Sequence, residues 1–201
     1  MQQRIPNYIK YLFVNIFSLT VYALLFRVLF YTYFAQLDSV ATSEIQQAFG
    51  LGIRFDIKLA VLAVFPIALL LFIVNQRFFK HKVYKRISNI YFTSIYLVIT
   101  LFYLFDFGYY EYLNIRLDAA SLRFLSNLKI SIQVLLESYP VYKGLFGLLI
   151  LGFIIYKFNA FIYRRFNMDT VPISKKKKAF FIIIPFFVLA FGIYNSFTHY
   201  P

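Results

Sequence analysis

The sequence predicts an all-α membrane protein, and three observations support this fold class. The 201 residues are 61% hydrophobic and only 14% charged, with a mean hydropathy of +0.69. The apolar residues are gathered into long runs, and strongly basic loops alternate with loops of balanced charge. A chain this apolar cannot enclose one soluble core and still present a polar surface to water.

Five apolar segments are long enough to cross a bilayer as helices. A hydrocarbon core about 30 Å thick requires roughly 20 apolar residues in helical form. The segments that meet this length are 11–34, 57–75, 87–110, 144–163 and 179–197. The first is too long for a cleavable signal peptide and no small-x-small cleavage site follows it, so we expect it to remain as an anchor.

The distribution of basic residues predicts the orientation of the five spans, because cytoplasmic loops carry an excess of Lys and Arg. Such residues precede the first span, join the second to the third, and join the fourth to the fifth. They are Arg4, Lys10, Arg77, Lys80, Lys82, Lys85, Arg86, Arg164, Arg165, Lys175, Lys176, Lys177 and Lys178. We therefore expect a cytoplasmic N-terminus, and the odd number of spans places the C-terminus outside.

The lysine run at 175–178 has two interpretations. It could contact anionic lipid at the cytoplasmic surface, where each cation contributes about 1 kcal/mol. We favour its role as a topology determinant, because such charge is expected at this position in any membrane protein.

The net charge of +13 would suggest nucleic-acid binding in a soluble protein. Here the cations flank membrane spans, so orientation explains them and nucleic acid is not an expected partner. The absence of Cys and the presence of only two His residues exclude disulfides and the usual Cys/His zinc sites.

An amphipathic helix is predicted over about 118–138, in the outer loop that follows the third span. Asp118 is a suitable N-cap. Apolar residues then recur at helical spacing, at Leu122, Leu125, Leu128, Ile132 and Leu135 or Leu136. We expect this helix to lie in the outer interface, or to cover the outer ends of the other helices.

Charged residues within the spans call for an explanation, because a charge near the bilayer centre costs about 2.5 to 3.5 kcal/mol. Lys157 lies near the inner end of the fourth span, where it can extend to the cytoplasmic headgroups. Arg27 lies about 10 Å before the end of the first span, at 1.5 Å per residue. We therefore expect Arg27 in the outer half of the membrane.

Charged residues at the outer ends of the second and third spans should lie at the same depth as Arg27. Together they form a predicted outer charge cluster. Its members are Arg27, Arg54, Asp56, Lys58, Asp106, Glu111 and Arg116.

Three interpretations of the outer charge cluster stay open. An ion-pair and tyrosine network that satisfies buried charge is the simplest, because charges within membranes are usually paired. Alternatively, the arginines bind the headgroup of an anionic lipid and the carboxylates orient them. A proton relay through Asp106 is the weakest, since the inner halves of the spans contain almost no ionisable group to continue it.

Four short motifs carry a resemblance to a known family. They are GIRFDIK at 52–58, FDFGYY at 105–110, RLD at 116–118 and ESYP at 137–140. They resemble the N-terminal membrane domain of lipoteichoic acid synthase-like proteins and their phosphoglycerol transferase relatives, sulfatase-type members of the alkaline phosphatase superfamily. The resemblance covers all five spans.

The resemblance implies a five-helix domain in the bacterial cytoplasmic (inner) membrane, followed by a linker and a large extracytoplasmic catalytic domain. In that domain a Thr nucleophile and a manganese or magnesium ion transfer phosphoglycerol from phosphatidylglycerol to a glycan or lipid acceptor. Some relatives act on other phosphate or sulfate esters. No catalytic residue or metal ligand carries over to this chain, and the catalytic domain is expected after residue 201.

The sequence thus predicts a single transmembrane domain over 1–201 that anchors an enzyme and presents a lipid donor, without catalytic residues of its own. The alternative is a stand-alone membrane scaffold or a small transporter subunit. A complete enzyme is the least favoured, because Asp106 and Glu111 alone offer no nucleophile, metal cage or oxyanion site.

Overall fold

The computed structural model describes residues 7–34, 42–73, 81–118, 133, 136–137 and 140–166. Within these ranges all regular secondary structure is helical. The four helices are α1 (Asn7–Phe34), α2 (Thr42–Ile73), α3 (Lys82–Leu113) and α4 (Val141–Arg165). Three of them, α1, α3 and α4, are long and apolar enough to cross a membrane, which indicates a membrane protein.

Each of the first four predicted spans falls on one of these helices, but the helices are longer than the spans. The largest difference is in α2, which begins at Thr42 where the sequence predicts a span from residue 57. The reason is that hydropathy detects only the apolar part of a helix, whereas the helical backbone continues into polar residues. That α2 crosses the membrane stays a prediction.

Several predicted features lie outside the described residues. They include the fifth span at 179–197, the lysine run at 175–178 and most of the amphipathic helix at 118–138. Within the last of these, Gln133 is helical and its Nε2 donates to Glu137 Oε1 at 3.0 Å. One contact does not establish the amphipathic helix, which stays a prediction.

The end of α3 and the start of α4 are set by specific residues. Asn114 follows α3 with a φ of 56°, in the left-handed region that Asn tolerates better than most residues, and its N–H donates to the carbonyl of Tyr110 at 2.8 Å. This ends the helix in an ordinary C-terminal turn.

Pro140 precedes α4, and its carbonyl accepts from the N–H groups of Lys143 at 3.0 Å and Gly144 at 3.2 Å.

The chain divides into two compact units. One comprises Met1–Asn89 with Ala160–Pro201, and the other comprises Ile90–Asn159. Helices α1 and α2 belong to the first unit and pack against each other. This division neither confirms nor contradicts the prediction of one transmembrane domain over 1–201.

In the first unit, α1 buries one face that mixes apolar and polar residues. Tyr11, Asn15, Leu19 and Ala23 follow one another at helical spacing and are each 1% exposed. The Tyr11 hydroxyl lies 2.7 Å from the Ser88 hydroxyl at the start of α3. Within a membrane such polar contacts hold helices together, because lipid offers polar groups no alternative partner.

In the second unit, small and polar residues join α3 to α4. Gly152 is buried, and a Cβ added to it would lie 3.4 Å from the Leu97 side chain. Nearer the C-terminal end of α4, Asn159 Nδ2 donates to Thr93 Oγ1 at 3.3 Å. These contacts bring the two helices close together along this length.

Replacing Tyr11 with Phe removes the bond to Ser88 and keeps the ring. We expect the free energy of unfolding to fall by about 0.5 to 1.5 kcal/mol, the usual net value of one buried hydrogen bond. The measurement is reversible unfolding in mixed micelles titrated with SDS. Tyr142→Phe is the matched control, because Tyr142 is 82% exposed. Equal losses of unfolding free energy in the two variants would contradict the stabilising role of the Tyr11–Ser88 hydrogen bond.

Candidate functional site

Arg27 of α1 and Asp56 of α2 form a bidentate ion pair. Arg27 Nη2 lies 2.8 Å from Asp56 Oδ1, and Nε donates to Oδ2 at 3.1 Å. Nη2 also donates to the carbonyl of Gly52 at 3.3 Å. The side chain of Asp56 is 6% exposed and that of Arg27 is 21% exposed. The guanidinium is therefore held by a carboxylate and a carbonyl of one neighbouring helix.

Gly52 makes the space that the Arg27 guanidinium occupies. Gly52 lies four residues before Asp56 in α2, so the two share one helical face. A Cβ at position 52 would overlap the guanidinium of Arg27. At Gly50, on the other side of α2, a Cβ would meet no atom of the described residues within 4 Å.

A second ion pair joins Asp106 to the segment that follows α3. Both Nε and Nη2 of Arg116 donate to Asp106 Oδ2, the former at 3.1 Å. The backbone N–H of Leu117 donates to Oδ1 at 2.8 Å. The Asp106 side chain is 8% exposed and that of Arg116 is 52% exposed. Asp106 thus folds residues after the helix end back against the helix itself.

The predicted outer charge cluster has three further members, Arg54, Lys58 and Glu111. Arg54 and Glu111 are exposed. The Nζ of Lys58 lies 4.9 Å from the centre of the Phe55 ring, in a cation–π geometry. The two ion pairs lie in different units of the chain, so the structure groups four of the seven residues as two separate pairs.

Lys157 lies beside an aromatic ring of its own helix. Its Nζ lies 5.1 Å from the centre of the Phe153 ring, one turn towards the N-terminal end of α4. The ring face attracts the ammonium. That Lys157 extends to the cytoplasmic headgroups stays a prediction.

Sequence reasoning missed two contributors to the ion pairs. The carbonyl of Gly52 and the N–H of Leu117 are backbone groups, and residue type does not reveal them. The sequence does contain a signal for the Gly52 carbonyl. A glycine four residues before an aspartate lies on the same helical face and leaves a gap beside the carboxylate.

The chemistry available to the two carboxylates is limited by these bonds. Each carboxylate accepts hydrogen bonds from an arginine. Beside Asp56, the Gly52 carbonyl also accepts from Arg27, and Asp106 itself also accepts from the Leu117 N–H. A carboxylate bound in this way stabilises a cation and fixes its position. Among the described residues, no group of three or more His, Cys, Asp or Glu side chains is arranged to hold a metal ion.

Comparison of the chain with protein-family models, curated proteins and solved structures finds no match. The resemblance to lipoteichoic acid synthase-like proteins therefore depends on the four short motifs and stays a prediction, as does the manganese or magnesium ion that it implies.

Replacing Gly52 with Ala tests the space beside Arg27. We expect the free energy of unfolding to fall by about 1 to 3 kcal/mol, as for other overpacked sites, because the guanidinium must leave its carboxylate. The control is Gly50→Ala, which should leave stability unchanged or raise it by up to about 1 kcal/mol through helix propensity. SDS-titrated unfolding measures both, and similar effects at the two positions would contradict the role given to Gly52.

Replacing Asp106 with Ala should release the segment after α3. The Leu117 amide then loses a bond to a charged group, worth about 1.5 to 3 kcal/mol, so its hydrogen exchange should accelerate by about tenfold or more. Hydrogen–deuterium exchange with mass spectrometry reports this on peptides that cover 114–118. Glu111→Ala is the control, since Glu111 is exposed. Unchanged exchange in the Asp106 variant would refute this role.

Proposed function

We propose that this chain is the membrane anchor of a bacterial envelope enzyme of the lipoteichoic acid synthase-like, sulfatase-type group. In this proposal five spans lie in the cytoplasmic membrane with the N-terminus inside. They hold a catalytic domain on the outer side, where a divalent metal and a Thr nucleophile act on phosphate or sulfate esters.

One observation carries the proposal: the motifs behind the resemblance supply the carboxylates of both ion pairs. Asp56 belongs to GIRFDIK and binds Arg27, and Asp106 belongs to FDFGYY and binds Arg116 of RLD. These motifs therefore have a structural use in a membrane domain. The first joins two helices, and the second fixes the chain as it leaves a helix.

The state of the two carboxylates favours an anchor over an enzyme contained in these residues. A carboxylate that serves as general base or nucleophile must reach a substrate. Asp56 and Asp106 are both buried, and each is already bound by an arginine. We therefore assign the chemistry to a separate domain and positioning to this one.

The positioning role extends to the donor lipid. In the proposed orientation, Arg27, Arg54 and Lys58 lie near the outer headgroup region, where basic side chains attract anionic phospholipids such as phosphatidylglycerol. A membrane domain with cations at this level can hold a lipid substrate close to an enzyme anchored above it.

The orientation can be measured directly because these 201 residues contain no Cys. Single cysteines at Ser43 and His199 should react with a membrane-impermeant maleimide on intact cells. Cysteines at His81 and Ser174 should react only after the membrane is permeabilised, since they lie in the basic, cytoplasmic loops. Labelling of position 174 from outside would contradict the orientation.

An alkaline phosphatase reporter fused after Pro201 tests the anchoring role, because this reporter folds only outside the cytoplasm. We expect an active fusion. An inactive fusion, together with fluorescence from green fluorescent protein at the same position, would place the C-terminus inside and favour the stand-alone scaffold or transporter subunit.

A further inference from the structure

Two buried polar atoms in the first unit have no hydrogen-bond partner among the described residues. They are the hydroxyl oxygen of Tyr8, in the first turn of α1, and Oδ1 of Asn89, near the start of α3. Tyr8 is 7% exposed and Asn89 is 1% exposed. Burial of such a group is unfavourable, because the hydrogen bonds that it makes to water in the unfolded chain are lost. Each of the two atoms therefore requires a partner.

These two residues belong to a buried group of polar side chains, the N-terminal polar region, which comprises Tyr8, Tyr11, Asn15, Ser88 and Asn89. Tyr8, Tyr11 and Asn15 share one face of α1. The hydroxyl of Tyr11 lies 2.7 Å from that of Ser88, the residue before Asn89. Asn15 Nδ2 donates to the carbonyl of Tyr11 at 2.8 Å. The protein thus supplies partners in the middle of the region but not for Tyr8 and Asn89 among the residues described.

Aromatic rings border the N-terminal polar region. The ring of Tyr163, near the end of α4, packs edge-on against that of Tyr11, with centroids 5.5 Å apart. It also lies 6.3 Å from the ring of Tyr84 in α3. All three residues are buried. A lipid chain offers no hydrogen bond, and a side chain of another protein would have to displace these rings. The partner that Tyr8 and Asn89 require must therefore be a small polar molecule.

The charges of the first unit favour a neutral molecule. Asn89 Oδ1 only accepts hydrogen bonds, which disfavours an anion, and a buried cation would need a carboxylate to neutralise it. The described residues of this unit contain two carboxylates, Glu44 and Asp56, both in α2. Asp56 binds Arg27, which lies sixteen residues after Tyr11, about 24 Å along the helix axis. Glu44 lies farther still, because α2 runs antiparallel to α1.

We propose that the N-terminal polar region binds water, which donates a hydrogen bond to Asn89 Oδ1 and bonds to the hydroxyl of Tyr8. Water both donates and accepts, so it suits an amide oxygen as well as a phenol. Buried water in proteins occurs where polar groups would otherwise have no partner. The bound water adds to the direct bond between Tyr11 and Ser88 in satisfying the polar groups of α1 and α3. This inference does not depend on the proposed function.

Water-edited solid-state NMR on the full chain in phosphatidylcholine vesicles tests the proposal. In this experiment magnetisation passes from water protons to side chains that lie close to water. The Asn89 amide and the Tyr8 ring should gain signal roughly threefold faster than the Leu19 side chain, because bound water contacts them directly. Leu19 is the matched control, since it is 1% exposed, belongs to the same unit and has an apolar side chain.

Two results of the NMR experiment would overturn the proposal. Equal rates for Asn89, Tyr8 and Leu19 would show that the region is dry. A displacement of the Asn89 signal when Na⁺ replaces N-methylglucamine in the buffer would assign the region to a cation instead of water.

The Tyr8→Phe variant gives a second, independent measurement, because it removes the hydroxyl and keeps the ring. If the hydroxyl is bound to water, its removal loses those hydrogen bonds, and the SDS mole fraction at the unfolding midpoint should stay the same or fall. If the hydroxyl is dry, its removal relieves an unsatisfied polar group, and the midpoint should rise. A midpoint above that of the wild type therefore overturns the assignment of water to Tyr8.

Discussion

The bond between Arg27 and Asp56 is the interaction on which the packing of α1 and α2 depends. Arg27 occurs in a helix long and apolar enough to cross a membrane, where a charge without a partner costs about 2.5 to 3.5 kcal/mol. Asp56 neutralises it in a bidentate pair, the Gly52 carbonyl accepts a further hydrogen bond, and the missing side chain at Gly52 makes room for the guanidinium. One helix therefore supplies the charge, the acceptor and the space that the other requires.

Asp106 uses the same chemistry for a different purpose. It also neutralises an arginine and also acts together with a main-chain group, but its partners follow it in sequence by ten and eleven residues. The left-handed Asn114 reverses the chain at the end of α3, and Asp106 then holds the reversed segment. The first pair joins two helices and the second directs the chain out of a helix, so both stabilise a framework.

Hydropathy and the expected depth of each charged residue in the membrane predict much of this arrangement of helices and charges. The apolar runs located four helices, and counting residues placed Arg27 at the level of Asp56. The choice of partner could not be predicted, because it depends on how each helix is rotated about its axis, and a single sequence does not determine that rotation. The early start of α2 at Thr42 was missed for a local reason, namely the polar residues that precede its apolar part.

The central claim is that Arg27 and Asp56 stabilise the packing of α1 and α2 by binding each other. A double-mutant cycle with Arg27→Gln, Asp56→Asn and both together, measured by SDS-titrated unfolding, tests it most directly. The account predicts a coupling free energy of about 1 to 3 kcal/mol, with the double variant less destabilised than the sum of the single variants. Single effects that add to within about 0.5 kcal/mol would contradict it.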